Sequence, residues 1–560
     1  MVFSIEQRDL MFKLALKNAV KHDGSANPKA LIGGFLGEFP DARKDMKSLV
    51  VELGVVAGEV NSLGLDVQKE KLLELEPDVF VKKERNIFDF LDISEGEFVK
   101  TAFPPGPEKH PHIGHAKSLL LNYLLAKQYN GEFCLRFEDT NPDLVRAEFY
   151  DIMLKDFGWL GVSWDELVFA SDFMDLYYEH CESLLKDDKA YVCSCKSEDI
   201  KVQRETGVPC SCRGNSSVKN LELWDLMKTS MSPGDATVRL KIDLLHKNST
   251  MRDPSIFRVN LNEHARHGSK YRVWPNYDFQ NSIMDGYFKI THRIRSKEFE
   301  MRNELQRFIQ RLFGYDETKI FEMARFNIEG AEASGRVIRE MIKNNELIGW
   351  DDPSLITLCA LRRRGFLPRA IENFVVSTGI SKSESVLTWD DLIVQNRRLL
   401  DESSDRFFFV SDPVKLEVVG APSKSFELNL HPMHRKGGRL FNTKDVFFVS
   451  RKDFDSFKSG VYRFIELFNF EFDFESKVAK FLDEDVKTFK EKGKSMLHYL
   501  PVSSGVEAEV LMPDKEVVKG LCEENVKKAR VGDVVQFERF GFCRLDKVEG
   551  NKYFFWFTHS

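Results

Sequence analysis

The spacing of apolar residues divides the chain into three regimes. Over residues 1–95, Met46, Leu49, Val50 and Leu53 fall on one face of a helix, and the Gly/Pro-bearing stretches 24–28 and 33–40 mark turns. This pattern predicts a helical unit. From Phe98 the pattern alternates between strand and helix. Residues 98–103 can form a buried strand, and Ala116, Leu119, Leu120, Tyr123 and Leu124 share one helix face. Phe133, Leu135 and Phe137 alternate as a second strand, and Val145, Phe149, Met153 and Phe157 follow as a second helix. Such alternation predicts a mainly parallel sheet with ligands at the carboxyl ends of its strands, where Glu138 lies. Ligand contact is expected of Glu138, and capping of the next helix of Asp139.

Farther on, residues 236–242 read as a strand. Residues 340–404 read as helical, opened by the turn Trp350-Asp-Asp-Pro353 and including the basic end Arg362-Arg-Arg-Gly365. From about 405 the runs 407–410, 414–418, 446–449, 506–510, 534–537 and 553–557 are short and apolar or alternating, which predicts barrels.

Composition changes this picture little. The 560 residues carry a net charge of −7, so binding to nucleic acid would need basic residues gathered on one face. No apolar run reaches transmembrane length, and the N-terminus lacks a basic region followed by an apolar core, which predicts a soluble, cytoplasmic protein without membrane contact. Lys13, Lys17, Lys21 and Lys29 are either an RNA contact or a solvated face. Of nine cysteines, Cys193, Cys195, Cys210 and Cys212 form two Cys-x-Cys pairs at loop-closing distance. They are read as a closed, structural zinc site in preference to free thiols.

The chemistry concentrates between residues 103 and 115, Phe-Pro-Pro-Gly-Pro-Glu-Lys-His-Pro-His-Ile-Gly-His. A strand, a Pro/Gly loop and a helix N-terminus with two imidazoles suit an anion such as a phosphate. His112-Ile-Gly-His115 resembles the HIGH signature of class I aminoacyl-tRNA synthetases. The stretch Leu135-Arg-Phe-Glu-Asp-Thr-Asn-Pro142 resembles their glutamyl/glutaminyl branch, and residues 19–39 resemble the N-terminal extension of archaeal glutamyl enzymes. The β-rich C-terminus resembles the anticodon region of archaeal and eukaryotic enzymes of this family.

The resemblance implies a multidomain α/β protein. Its parts are a helical extension (1–95), a Rossmann-type catalytic domain (96–190 and 271–325) with an inserted acceptor-stem-binding domain bearing the cysteines (191–270), a KMSKS-like loop with a helical stem-contact region (326–404), and an anticodon-binding β-barrel region (405–560). It implies ATP- and Mg²⁺-dependent formation of glutamyl adenylate, then transfer to the 2′-hydroxyl of the terminal adenosine of glutamate tRNA; charging of glutamine tRNA and oligomeric state stay open, with a monomer expected. His112, His115 and Arg336 would be catalytic. ATP would meet Gly106, His112, Gly114, His115, Lys117, Ser118, Ser296, Glu298, Arg325, Phe326 and Ser334.

Glutamate would meet Glu138, Tyr277, Asn281 and Arg295, the last through a charge that favours a carboxylate over an amide. The transfer RNA would meet Arg362, Arg363 and Arg364, and the anticodon Arg435, Lys436 and Arg439. Three positions depart from the family. Gly335 replaces a lysine that steadies the leaving pyrophosphate, with Arg336 or Arg339 as substitutes. Ala102 replaces a substrate-binding arginine, with Lys100 or Arg293 as substitutes, and Gly106 replaces a polar or acidic residue of the ATP loop. The alternatives are a glutaminyl-tRNA synthetase, disfavoured by Arg295, and a tRNA-binding paralogue without activation activity.

Overall fold

The computed structural model describes residues 3–76, 86–94, 96–326, 328–332, 334–384 and 386–560. They fall into two compact units, Met1–Leu91 and Asp92–Ser560. The expected boundary at residue 95, and positions 327 and 333 of the KMSKS-like stretch, lie outside the described residues.

The first unit consists of α1 (Ile5–Lys21), α2 (Pro28–Glu38), α3 (Met46–Asn61) and α4 (Leu65–Leu75). A reciprocal Ser4/Gln7 capping box starts α1, and Asn27 with Pro28 starts α2. The buried stripe of α3 is Leu49, Leu53, Val56 and Val60, while Met46 and Val50 face outward. The expected face is therefore rotated, because the helix continues past the four residues from which it was read. Buried Gln68 donates to the carbonyls of Gly24, Val60 and Leu63, tying two turns to α4. Lys13 and Lys17 both pair with Glu76.

The second unit begins with β1 (Lys100–Phe103), α5 (Ile113–Gln128), β2 (Glu132–Phe137), α6 (Ala147–Trp159), β3 (Glu166–Phe169) and α7 (Met174–Lys186). An antiparallel sheet follows, β4 (Ala190–Cys193), β5 (Thr237–Leu240), β6 (Ser255–Val259) and β7 (Val273–Pro275), with α8 (Ser197–Thr206) and α9 (Ser217–Thr229). The chain then returns through α10 (Tyr277–Tyr287), β8 (His292–Ser296), α11 (Asn303–Leu312) and β9 (Lys319–Met323). The central sheet is wholly parallel in the order β3-β2-β1-β8-β9. Strand order reverses between β1 and β8, and a crevice opens at such a switch point beyond the strands' carboxyl ends.

Helix α5 is buried nearly all round instead of along one face, because it covers β1, β2 and β8 and is itself covered by the helix Pro368–Thr378. Helices α12 (Gly335–Lys343), α13 (Leu358–Arg364), α14 (Pro368–Thr378) and α15 (Trp389–Ser403) lead to the β region. There, strands at 406–411 join strands between 506 and 559 in one seven-stranded sheet, and residues 413–501 supply a second. The last segment therefore completes a sheet begun a hundred residues earlier, around Phe407, Phe409, Phe537 and Phe555. The fold class is the multidomain α/β one expected, with helical N-terminus and β-rich C-terminus. No single described helix is long and apolar enough to cross a membrane.

Burial holds His264, His498 and His559 neutral, each ring's pKa lowered to about 4. Between pH 6.5 and 4 the unfolded chain therefore binds more protons than the folded one. Stability is expected to fall as pH is lowered from 6.5 to 4, by up to about 1.4 kcal/mol per pH unit for each ring. Thermal melts at pH 7.0, 6.0 and 5.0 check this; an unchanged midpoint would contradict it.

Candidate active site

The loop after β1 places His112 at the N-cap of α5, with His115 one turn on. The N–H of Gly114 donates to His112 Nδ1 at 3.0 Å, and the N–H of His112 donates to His115 Nδ1 at 3.1 Å. The rings lie 4.0 Å apart. Burial, then the positive charge of Lys109, lowers the pKa of His115 to about 3; burial and neighbouring charges also push His112 well down. Both rings are therefore neutral. With each Nδ1 occupied as an acceptor, the single proton of each ring sits on Nε2, and two N–H donors are left for an anion.

At the switch point lies a cavity of about 760 Å³, lined by Gly106, Ser118, Glu138, Tyr277, Arg293, Arg295 and Ser296 among others. Beneath it is a buried charge network. Glu138 Oε1 accepts from Arg136 Nε and Nη2 at 3.0 and 2.9 Å and from Asn281 Nδ2 at 3.1 Å. Asp285 bridges Arg136, at 2.9 Å, and Arg293, at 2.7 Å. Burial alone would raise the Asp285 carboxyl, but the two guanidiniums hold it below the usual carboxylate range. Arg293 also donates to Asn281 at 2.7 Å.

Glu138 Oε2 remains buried without a hydrogen-bond partner. Arg295 donates to Gln306 at 2.9 Å and to Asn303, and its Nε likewise has no partner. One free anionic acceptor and one free cationic donor beside the same cavity suit a ligand with an ammonium and a carboxylate. Arg136 and Asp285 were not anticipated. Yet Asp285 continues the i, i+4 spacing of Tyr277 and Asn281 along α10, and Arg136 precedes Glu138 by the two-residue repeat of a strand.

Several expectations change. Asp139 caps no helix: it is buried and accepts from Tyr150 Oη, Ser171 N and Ser171 Oγ, while α6 starts only at Ala147. Lys100 pairs with Glu132 and Glu166, so Arg293 is the cation that reaches the cavity. Phe326 is buried against Phe374 under the ammonium of Lys117, which also donates to the carbonyl of Ala324. Its ring faces are thus covered within the chain. Arg325 pairs with Glu298 at 3.2 Å. Ser334 is the exposed N-cap of α12, and Arg336 is exposed in its first turn.

The arginines expected at tRNA are largely engaged within the chain. Arg362 pairs with Asp156, Arg363 with Asp351 and Asp546, and buried Arg364 donates to the carbonyls of Pro353 and Thr558. Arg363 and Arg364 tie α13 to the C-terminal sheet, and Arg362 ties it to α6. Arg439 is buried between Glu523 and Glu538 and over the Phe408 ring, so burial and charge neutralisation remove it from an anticodon surface. Arg435 pairs with Asp405, and Lys436 is exposed. The sulfurs of Cys193, Cys195, Cys210 and Cys212 all lie within 4.8 Å of one another, with Cys193 and Cys210 at 3.8 Å. Thiolates about 2.3 Å from a tetrahedral zinc would be separated by roughly that distance.

Imidazoles at a helix N-terminus, above the switch point of a parallel sheet, are an arrangement of class I tRNA synthetases. The chain matches the description "tRNA synthetases class I (E and Q), catalytic domain" over residues 98–402, and the anticodon-binding domains of the same group over 404–492 and 489–546. It is 40% identical over 574 residues to the glutamate–tRNA ligase of Pyrococcus abyssi (strain GE5 / Orsay), covering 99% of this chain and all of that one. With the glutamate–tRNA ligase of Methanocaldococcus jannaschii the identity is 38% over 550 residues, covering 98% and 99%. A crystal structure of glutamate-tRNA synthetase from Elizabethkingia anophelis aligns with a TM-score of 0.41 at 21% identity, over 55% of this chain and 72% of that one. The chain belongs to the class I glutamyl-tRNA synthetases of archaeal type.

Proposed function

We propose that this protein attaches glutamate to tRNA, joining glutamate to the AMP moiety of ATP with release of pyrophosphate, and passing the acyl group to the 2′-hydroxyl of the terminal adenosine with release of AMP. Identity over its whole length to glutamate–tRNA ligases carries this conclusion. The partnerless pair Glu138 Oε2 and Arg295 Nε supports the choice of amino acid. In the proposed complex, Glu138 accepts from the substrate ammonium, Arg295 binds the side-chain carboxylate, and Tyr277 and Asn281 close the pocket from α10.

The Nε2 protons of His112 and His115 meet the α-phosphate as the carboxylate attacks it. Fixed neutral donors aimed at charge that grows in the transition state lower the barrier without reorganising. Gly106, Gly114, Ser118, Ser296 and the Glu298–Arg325 pair would form the rest of the nucleotide site. Mg²⁺ would accompany ATP and offset phosphate charge. Glutamate tRNA is the proposed RNA partner, with Lys436 the exposed cation of the expected anticodon set.

Pyrophosphate exchange with tRNA present tests this, using glutamate and glutamine separately. Exchange with glutamate is expected. Exchange with glutamine alone would make the protein a glutaminyl enzyme, and exchange with neither would make it a binding paralogue. Aminoacylation of purified glutamate and glutamine tRNAs tests the range of RNA partners.

The four clustered thiols would hold a structural zinc at the end of the inserted sheet. Elemental analysis of the purified protein is expected to give about one zinc per chain, as four thiolates close a tetrahedral site. Cys210→Ser should lower both zinc content and the melting temperature. Full folding stability at zero zinc would refute the assignment.

A further inference from the structure

Two glycines in the nucleotide region have their side-chain space filled by one dipeptide. A Cβ added to Gly106 would lie 3.0 Å from Oε1 and 3.3 Å from Cδ of Glu108. A Cβ added to Gly335 would lie 2.9 Å from Cδ and 3.2 Å from Cβ of Lys109. The family resemblance read from the sequence implies a polar or acidic residue at Gly106 and a lysine at Gly335. In each case the intruding side chain has matching chemistry.

Lys109 reaches across from the first loop to the start of α12, two segments more than two hundred residues apart in sequence. Its charge bears on both His112 and His115. The charged groups acting on it are Glu108, Arg325 and Arg339, and no described carboxylate meets its ammonium at ion-pair distance. Arg339 donates to the carbonyl of Glu108 at 3.3 Å and so ties α12 to the same dipeptide. A half-buried ammonium that burial and two guanidiniums disfavour, with the Glu108 carboxylate as its one nearby counter-charge, is incompletely neutralised, and a bound polyanion relieves it.

We propose that Lys109 is a catalytic residue of the ATP site, whose ammonium contacts the phosphates that leave as pyrophosphate and takes the place of a side chain at Gly335. Arg336 and Arg339 are then not the replacements. Arg336 points from an exposed turn, and Arg339 holds the loop that carries Lys109. The glycine at 335 is what admits the longer reach: any larger residue would displace the methylenes of Lys109.

The proposal rests on the ligase function above, so wild-type glutamate-dependent exchange with tRNA present is measured first; its absence would remove the function itself. Given exchange, Lys109→Met keeps the aliphatic packing and removes the charge. It is expected to lower kcat about 10²-fold, the scale of one lost transition-state electrostatic contact, with an unchanged melting temperature. Affinity for adenosine alone should stay the same while affinity for pyrophosphate in the reverse reaction falls.

The decisive variant moves the charge. The backbone at Gly335 is not left-handed, and Lys109→Ala removes the Cδ that would crowd a side chain there, leaving only a tight contact with the alanine Cβ at 3.2 Å. Lys109→Ala combined with Gly335→Lys is expected to recover at least tenfold over Lys109→Ala alone. Gly335→Lys by itself crowds two side chains into one space and should not exceed wild type. Wild-type activity in Lys109→Met, or no recovery in the double variant, would overturn the proposal.

Discussion

Asp285→Ala is expected to lose about 3–5 kcal/mol of stability in the catalytic domain, the cost of stranding buried charge when one partner is removed. Arg136 and Arg293 are both buried and share this carboxylate. Without it, Glu138 is the only anion left to Arg136, and Arg293 retains only the neutral Asn281. At roughly 2–4 °C per kcal/mol, the melting temperature should drop by about 6–20 °C. Asp285→Asn keeps the shape and part of the hydrogen bonding but not the charge, and should fall between the two. The network also sets the direction of Glu138 Oε2, so glutamate activation should fall in both variants even below their melting range. A midpoint within a degree of wild type for Asp285→Ala would show that the two arginines find other partners and that the network is not what holds this floor of the site.

Much of this architecture is readable from local patterns because local patterns cause it. Phe133, Leu135 and Phe137 alternate because β2 is a strand, and residues 534–537 emerge as the strand expected of them. Tyr277 and Asn281 share a face because helical spacing puts them there. What escapes is whatever a distant segment decides. The same three arginines, 362–364, would look alike in sequence whether they faced an RNA backbone or the carbonyl of Thr558, which lies 194 residues from Arg364. Arg439 reads as a cation in a glycine-bearing loop until Glu523 and Glu538 arrive from the far end of the chain. Asp139 looks like a helix cap because acidic residues often are; Tyr150 and Ser171 claim it instead. Of the substitutes considered for the missing arginine at Ala102, Lys100 is excluded only by the acids that β2 and β3 place beside it. The departures at Gly106 and Gly335 are visible in sequence, but not that the side chains of a single dipeptide occupy the space beside both.

Arg295→Ala is expected to reduce kcat/KM for glutamate by about 10²–10³, since truncating one partner of a buried charge pair costs roughly 2–5 kcal/mol. The guanidinium is held at the carboxyl end of β8 by Gln306 and Asn303, which fix its plane and leave Nε for a ligand. Burial lowers its pKa, yet an arginine starts so high that it stays charged at neutral pH. A desolvated cation of fixed orientation gains far more from glutamate than from the neutral amide of glutamine. The loss should therefore fall on glutamate, and glutamine, poor in the wild type, should change little. The discrimination ratio then collapses without any gain in glutamine use. Arg295→Lys keeps the charge but not the planar fork, and should recover only part of the glutamate rate. The measurement is tRNA-dependent pyrophosphate exchange at several concentrations of each amino acid, with the melting temperature recorded alongside. Arg295→Ala that keeps full glutamate activity would remove the carboxylate contact and return the choice of amino acid to another guanidinium lining the cavity, Arg293 first among them because it lies two residues away on the same strand.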